Sequence, residues 1–237
     1  MKKLFFATVF AATLGSAIAG PSTVADDANY RPRLNYQTYF GDYLALKQGR
    51  PVDLIFIGDS ITEQWRWGAG NPVWKQHFEE RAFDFGLGAD KTQHTLWRLE
   101  HIALPGMAPK VAVIMIGTNN VEDTPEDIAA GVKAVIGATQ HKFPGIKVVL
   151  MSILPNARAG AKMAATNVLL AALADQSTVV YLDLASSFTA EGDNWKGIGR
   201  DKLHLNAEGY EMWAGKLEAM LPALLARSNT QTKGRSQ

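Results

Sequence analysis

The stretch Val52-Asp53-Leu54-Ile55-Phe56-Ile57-Gly58-Asp59-Ser60-Ile61 decides how the rest of the chain is interpreted. Its first six residues are mostly apolar and rich in β-branched side chains, and such a run ending at glycine is typical of a buried parallel strand. Ser60 then lies in the turn at the carboxyl end of the strand, the edge where open α/β sheets bind ligands. Gly, Asp and Ser also suit turns for purely local reasons. These residues alone leave two interpretations open, a strand-ending turn and a serine nucleophile.

Four further apolar runs predict strands, and helical segments separate them. This alternation predicts a parallel sheet with helices on both faces, which is a single-domain three-layer α/β/α sandwich. The expected strands are 52–57, 82–86, 111–116, 148–153 and 179–184. The expected helices are a short one within 36–44, one that begins at Asn71, one through 95–99, and longer ones at 125–141, 161–174 and 207–226.

The charged residues nearly cancel, with 24 Lys plus Arg against 23 Asp plus Glu. A nucleic-acid partner usually requires a strongly basic patch or stripe, so we expect no nucleic-acid partner. The chain has no Cys, and it therefore folds without disulfides.

The N-terminus carries the pattern of a signal peptide. Lys2 and Lys3 precede an apolar segment at 4–14, and Ala17-Ile18-Ala19 matches the small-x-small cleavage pattern. The apolar segment is too short to span a bilayer, so we expect cleavage after Ala19 and no integral membrane segment afterwards. The expected destination is the bacterial periplasm or the medium. The expected organisation is a signal peptide at 1–19, a lead-in that packs on the domain at 20–50, the main domain at 51–226 and a disordered tail at 227–237.

A serine nucleophile needs a base within hydrogen-bond reach and an acid that orients the base. His204 is the best candidate for the base, because Asp201 lies one tight turn earlier; the alternative is a surface or helix-capping histidine. An oxyanion also needs hydrogen-bond donors. Asn119 follows a strand and could offer its amide, although turns are the commoner role of a lone Asn. The glycine-rich loop at 86–90 could offer N–H groups; as a nucleotide phosphate cradle it lacks the third glycine of the dinucleotide fingerprint.

The remaining histidines show no ligand spacing, so we predict no metal and no cofactor. Three tryptophans near Ser60 could line a sugar or acyl pocket, although packing is the commoner role of such residues. The histidines are His77, His94, His101 and His141, and the tryptophans are Trp65, Trp67 and Trp74.

Four segments together resemble the SGNH (GDSL-type) hydrolases, a family named for Ser, Gly, Asn and His in four sequence blocks. The matching segments are Gly58-Asp59-Ser60, Gly86-Leu87-Gly88-Ala89-Asp90, Gly117-Thr118-Asn119-Asn120 and Asp201-Lys202-Leu203-His204. The resemblance implies a flavodoxin-like sheet of five parallel strands. It also implies a catalytic triad and an oxyanion hole formed by two backbone N–H groups and one side-chain amide. The triad would be Ser60, Asp201 and His204, and the oxyanion donors Ser60, Ala89 and Asn119.

The chain departs from the family pattern at Ala89, where the family usually has glycine. Alanine keeps the N–H, but it adds a methyl group beside the acyl pocket and needs a backbone conformation that an L-residue tolerates. The stretch 92–100, Thr-Gln-His-Thr-Leu-Trp-Arg-Leu-Glu, resembles the branch that contains the catalytic subunits of platelet-activating-factor acetylhydrolase Ib and their bacterial relatives.

The expectation is a secreted serine esterase that cleaves short acyl, best acetyl, esters of a small molecule or a carbohydrate. Two alternatives stay open: a lysophospholipase or thioesterase for longer chains, and a non-catalytic envelope carbohydrate-binding protein on the same fold. The sequence predicts neither the alcohol part of the substrate nor the oligomeric state.

Overall fold

The computed structural model describes residues 21–26, 36–47 and 49–233, and side chains as far as residue 226. Five parallel strands form one sheet in the order β2-β1-β3-β4-β5. The strands are β1 (Leu54–Gly58), β2 (Ala82–Asp84), β3 (Val111–Met115), β4 (Lys147–Met151) and β5 (Val179–Leu182). A small antiparallel hairpin, β6 (Ala190–Glu191) and β7 (Asn194–Trp195), follows β5. The predicted α/β fold with five parallel strands is confirmed.

Seven α-helices accompany the sheet within the described ranges. They are α1 (Tyr36–Ala45), α2 (Ser60–Trp67), α3 (Asn71–His77), α4 (Thr92–His101), α5 (Pro125–Lys142), α6 (Gly160–Ala171) and α7 (Ala207–Lys233). Short 3-10 turns lie at Pro21–Thr23 and Ala185–Ser187. None of the helices in the described residues is long and apolar enough to cross a membrane.

The alternation of side chains along the strands builds two separate cores, because successive residues of a strand point to opposite faces. Ile55 and Ile57 of β1 belong to the core that α1, α4, α5 and α6 cover. Leu54 and Phe56 belong to the core that α2, α3 and α7 cover. Both faces of the sheet are therefore buried, which explains why the strands are continuous apolar runs.

The strand order places a topological switch between β1 and β3. The chain moves from β1 outward to β2 and then returns to pair β3 with the other side of β1, with Gly58 opposite Met115. Connections on the two sides of the switch run in opposite directions, so a crevice opens at the carboxyl ends of these strands. The segments after β1 and β3, which contain Ser60 and Asn119, lie at this crevice.

The segment after β1 differs from the expected turn, because Ser60 is the first residue of helix α2. Asp59 caps this helix, and its Oδ1 accepts a hydrogen bond from the N–H of Ile61 at 2.9 Å. Ile61 and Trp65 lie four residues apart on the buried face of α2. The helix begins directly after the strand, so the apolar run of β1 obscured its start.

For two of the three tryptophans the structure confirms packing, the commoner role, and not a place in a pocket. Trp65 and Trp74 are 0% and 1% exposed and pack edge-to-face on Phe56 in the core. Trp67 is exposed at the end of α2.

Helix α7 is longer than expected. Asn206 caps it, with Oδ1 accepting from the N–H of Gly209 at 3.0 Å. The helix continues to Lys233 instead of ending near Ala226, so the tail at 227–233 is helical; no glycine or proline lies between Ala226 and Gly234. The predicted signal peptide and residues 234–237 lie outside the described residues.

Candidate active site

The structure brings Ser60, His204 and Asp201 into one hydrogen-bonded chain. Ser60 Oγ lies 2.8 Å from His204 Nε2, and His204 Nδ1 lies 2.6 Å from Asp201 Oδ2. An ionised carboxylate can only accept hydrogen bonds, so Nδ1 carries the ring proton and Nε2 is left as the acceptor for the serine hydroxyl. This tautomer is the one that a general base next to a serine needs.

The loop before α7 holds the acid and the base in this arrangement. Asp201 Oδ1 accepts hydrogen bonds from the N–H groups of Leu203 and His204, at 3.1 and 3.0 Å. Lys202, which follows Asp201, has a φ of 57°, and this backbone conformation bends the chain back toward the Asp201 carboxylate. The N–H of Gly199 donates to the carbonyl of His204 at 2.7 Å and closes the loop.

Hydrogen bonds also set the acidity of Asp201. Burial alone would raise the pKa of this carboxyl, but the hydrogen bonds from the His204 side chain and the two backbone N–H groups outweigh burial and lower the pKa. Asp201 therefore stays ionised over the pH range in which histidine titrates.

Helix α7 connects this loop to the helix of Ser60. The hydroxyl of Tyr210, in the first turn of α7, donates to the carbonyl of Ile61 at 2.6 Å. Both partners are buried, so the contact fixes the start of α7 against the start of α2. The spacing between Ser60 and His204 consequently depends on the packing of two helices that are far apart in the sequence.

The first turn of α2 and the loop at 86–90 leave two backbone donors available. The N–H of Ser60 lies in the first turn of a helix, where no intrahelical acceptor exists and the helix dipole favours negative charge. In the loop, Leu87 donates to Gly58 O at 3.1 Å, Gly88 to Glu63 Oε2 at 2.8 Å and Asp90 to Leu87 O at 3.2 Å. Within the described part of the chain, the N–H of Ala89 between them has no hydrogen-bond acceptor.

Ala89 itself adopts a left-handed backbone, with a φ of 64°. Glycine adopts this conformation freely, whereas alanine loses about 1 kcal/mol or more in it. The residue is exposed, so its methyl group does not clash with the core.

Two side chains that the sequence analysis did not assign hold this loop. Glu63, one turn after Ser60 on α2, is buried and accepts from Gly88 N–H and, at 3.0 Å, from the Tyr39 hydroxyl. Arg98 of α4 is 0% exposed and contacts Asp90 Oδ2 through Nε at 2.7 Å and through Nη2 at 2.6 Å. Its Nη1 donates to Phe85 O at 2.7 Å. The stretch 92–100 around Arg98 carries a family resemblance, but only the fold shows what the guanidinium contacts.

The side-chain amide of Asn119 is a third candidate hydrogen-bond donor, besides the N–H groups of Ser60 and Ala89. Its Nδ2 donates to the carbonyl of Asp90 at 3.0 Å, which directs the amide toward the loop that contains Ala89. The next residue, Asn120, is buried and accepts from the N–H of Thr92 at 3.1 Å. Asn120 therefore ties the segment after β3 to the start of α4.

Comparisons with known proteins identify relatives of this chain. The GDSL-like Lipase/Acylhydrolase family matches residues 56–212. The chain belongs to this family. Relatives of this GDSL acylhydrolase include the platelet-activating factor acetylhydrolase IB subunit alpha1 of Homo sapiens, which is 31% identical over 196 residues and aligns over 80% of this chain and 84% of its own length. The acylhydrolase is a hydrolase of ester bonds.

Solved structures share the fold of the GDSL acylhydrolase. A structure from Streptococcus pneumonia has a TM-score of 0.66 and 22% identity, over 78% of this chain and 91% of that one. A carbohydrate esterase family 3 structure from Talaromyces cellulolyticus has a TM-score of 0.54 and 18% identity, over 74% of this chain and 99% of that one.

The carboxyl group of Asp59, the residue before Ser60, is buried, and this burial changes its pKa. Asp59 is 0% exposed, and among the described residues its Oδ2 has no hydrogen-bond partner. Burial raises the pKa of this carboxyl from 3.8 to about 6, although the hydrogen bond from Ile61 N–H opposes the rise. The charge of Asp90 raises it further and that of His204 lowers it.

The variant Asp59→Asn should be more stable than the wild type at neutral and alkaline pH, with the advantage disappearing near pH 4. The pKa of Asp59 is raised in the folded state, so the protonated carboxyl contributes fully to the stability of the wild type below the unfolded-state pKa of about 4. This contribution is lost as the pH rises through the folded-state pKa of about 6. The amide is neutral throughout, so the difference in unfolding free energy should grow to about 1–3 kcal/mol. Urea denaturation of both proteins at several pH values measures it. A difference that stays constant with pH would contradict the raised pKa.

Proposed function

We propose that this GDSL acylhydrolase is a secreted serine esterase that cleaves short-chain acyl esters, best acetyl esters, through a covalent acyl-enzyme. The observation that carries the proposal is the continuous contact from Asp201 through His204 to Ser60, with distances of 2.6 and 2.8 Å. Both distances are in the range over which a proton moves between nucleophile and base.

In the first half of the reaction, His204 Nε2 takes the proton of Ser60 as Oγ attacks the ester carbonyl. The negative charge that develops on the carbonyl oxygen is held by the N–H groups of Ser60 and Ala89 and by the amide of Asn119. His204 then gives its proton to the alcohol oxygen as the ester bond breaks. In the second half, His204 removes a proton from water as its oxygen attacks the acyl-enzyme carbonyl. His204 then returns this proton to Ser60 Oγ as the bond between Oγ and the acyl carbon breaks, which releases the acid and restores the serine hydroxyl.

The preference for a short acyl group rests on two considerations. The curated relative is named an acetylhydrolase. In addition, the methyl group of Ala89 takes space beside the oxyanion donors where a glycine would leave room. The alcohol part is a small molecule or a carbohydrate in this proposal, and the fold shared with a carbohydrate esterase fits the second.

Hydrolysis of p-nitrophenyl acetate, butyrate and octanoate by the purified protein tests the proposal, with Ser60→Ala as the background control. We expect kcat/KM to fall as the chain lengthens, and Ala89→Gly to weaken that fall. No turnover above the Ser60→Ala background would leave a binding protein on this fold as the explanation. A rate that rises with chain length would indicate the lysophospholipase or thioesterase alternative instead.

The proposed destination is the periplasm or the medium, by way of the signal peptide at 1–19. The supporting features are Lys2 and Lys3, the apolar segment at 4–14 and the cleavage pattern at Ala17-Ile18-Ala19. Mass spectrometry of the exported protein should find a chain that begins at Gly20. An intact N-terminus would contradict the proposal.

A further inference from the structure

The loop between β4 and α6, which is not among the family's sequence blocks, contacts the candidate active site at Lys202 and at Asn119. Asn156 is 2% exposed, and its Oδ1 accepts from the N–H groups of Arg158 and Ala159 at 3.0 and 3.1 Å. The N–H of Ala157 donates to the carbonyl of Lys202, between Asp201 and His204, at 3.0 Å. The loop is therefore fixed both by its own turn and by the segment that holds the candidate triad.

From this loop the guanidinium of Arg158 reaches the side-chain amide of Asn119. Arg158 Nη1 donates to Asn119 Oδ1 at 3.0 Å, while Asn119 Nδ2 donates to the carbonyl of Asp90 at 3.0 Å. A guanidinium only donates and a backbone carbonyl only accepts, so the two contacts permit a single orientation of the amide. If the amide were rotated by half a turn, its oxygen would face the position of the oxyanion and would repel it.

The positive charge of Arg158 also favours an oxyanion beside Asn119. Its side chain is exposed, and within the described residues no carboxylate forms an ion pair with it. A charged donor on the amide oxygen polarises the amide and strengthens the hydrogen bonds that its NH₂ group donates. A positive charge beside the oxyanion hole also becomes more favourable as the negative charge develops.

We propose that Arg158 is a positioning residue for the oxyanion hole: it holds the amide of Asn119 in the orientation that donates to the oxyanion. The inference rests on the proposed function, because the orientation of Asn119 matters to the rate only if an oxyanion forms there. It adds to the proposed site a residue that lies outside the four sequence blocks.

A double-mutant cycle of Arg158→Met and Asn119→Ala tests the coupling, with p-nitrophenyl acetate as the substrate. Arg158→Met should lower kcat about tenfold with little change in KM, because loss of a whole oxyanion donor typically costs about a hundredfold or more and here the donor is only misoriented. In the Asn119→Ala background the same change should have almost no further effect, since the amide that it orients is gone. Arg158→Lys keeps the charge without the planar guanidinium and should recover part of the rate.

The matched control is Lys216→Met, which removes an exposed cation from α7 and should leave kcat, KM and the thermal midpoint unchanged. Arg158→Met should also keep the wild-type thermal midpoint, because the side chain is exposed. Equal losses of kcat from Arg158→Met in both backgrounds would overturn the inference. A second test uses 4-acetoxybenzoate, an acetyl ester with a carboxylate on its alcohol part. If Arg158→Met raised only the KM for this ester and left kcat unchanged, Arg158 would bind substrate, and the inference would be overturned.

The inference and the proposed function fail in different ways. A wild-type protein without turnover above the Ser60→Ala background would overturn the proposed function and this inference with it. An active wild type whose kcat is unchanged in Arg158→Met would overturn the inference alone.

Discussion

Ser60→Ala, His204→Ala and the variant with both substitutions should each lose ester hydrolysis to nearly the same extent, by roughly 10⁴-fold or more in kcat. The reason is that the nucleophile and its base act as one unit, joined here by the 2.8 Å contact between Oγ and Nε2. Without the base the hydroxyl is a poor nucleophile, and without the hydroxyl the base has no proton to take. The second substitution therefore removes nothing that the first has left.

Steady-state kinetics with p-nitrophenyl acetate measure the three rates, and thermal unfolding provides the control. Ser60 and His204 are only partly buried, so all variants should keep a thermal midpoint close to that of the wild type. Losses that multiply in the double variant would show that the two side chains act independently and would contradict a serine–histidine mechanism.

Arg98→Met should lower the free energy of unfolding by about 3–5 kcal/mol, the largest effect on stability that we expect from a single substitution outside the apolar core. The guanidinium and the carboxylate of Asp90 are both 0% exposed and lie 2.6 Å apart. Removing Arg98 deprives a buried carboxylate of its cation, and the carbonyl of Phe85 loses a donor as well. Methionine fills much of the volume, so the loss reports mainly the charge and the hydrogen bonds.

The neutral pair Asp90→Asn with Arg98→Met separates the penalty of an unpaired charge from the loss of packing. We expect the double variant to recover a large part of the stability that Arg98→Met loses, because no buried charge is left without a partner. Urea denaturation of the wild type, both single variants and the double variant measures the coupling. A double variant no more stable than Arg98→Met would show that the charge pair is not the cause.

Much of the fold could be predicted because its signals are local. The first four strands are runs buried on both faces, the edge strand β5 is partly buried, and each strand is confirmed within a few residues of its predicted bounds. The helix at Pro125–Lys142 begins with a capping threonine and a proline, which are readable without any tertiary contact. The difference falls where a local signal was ambiguous, because α2 starts directly after a strand. Trp65 and Trp74 are the same residue type whether they line a pocket or fill a core, and the structure places both in the core.

The candidate site could be predicted from the sequence because of the polarity of the strands. Carboxyl ends of parallel strands share one edge of the sheet, so Ser60 and Asn119 could be expected to lie near each other without knowledge of any distance. Asp201 and His204 were recognisable because a turn of three residues brings them into contact.

The sequence by itself determined the sheet, the edge at which its polar residues gather and the candidates for the triad, because hydrophobic periodicity and strand polarity are properties of neighbouring residues. Only the tertiary structure decided that Ser60 begins a helix, that Glu63 and Arg98 hold the loop of Ala89, and that Arg158 orients Asn119. Arg158 and Asn119 are 39 residues apart, and Ser60 and His204 are 144 apart. Contacts between such distant residues depend on how whole helices and strands pack, which no local pattern specifies.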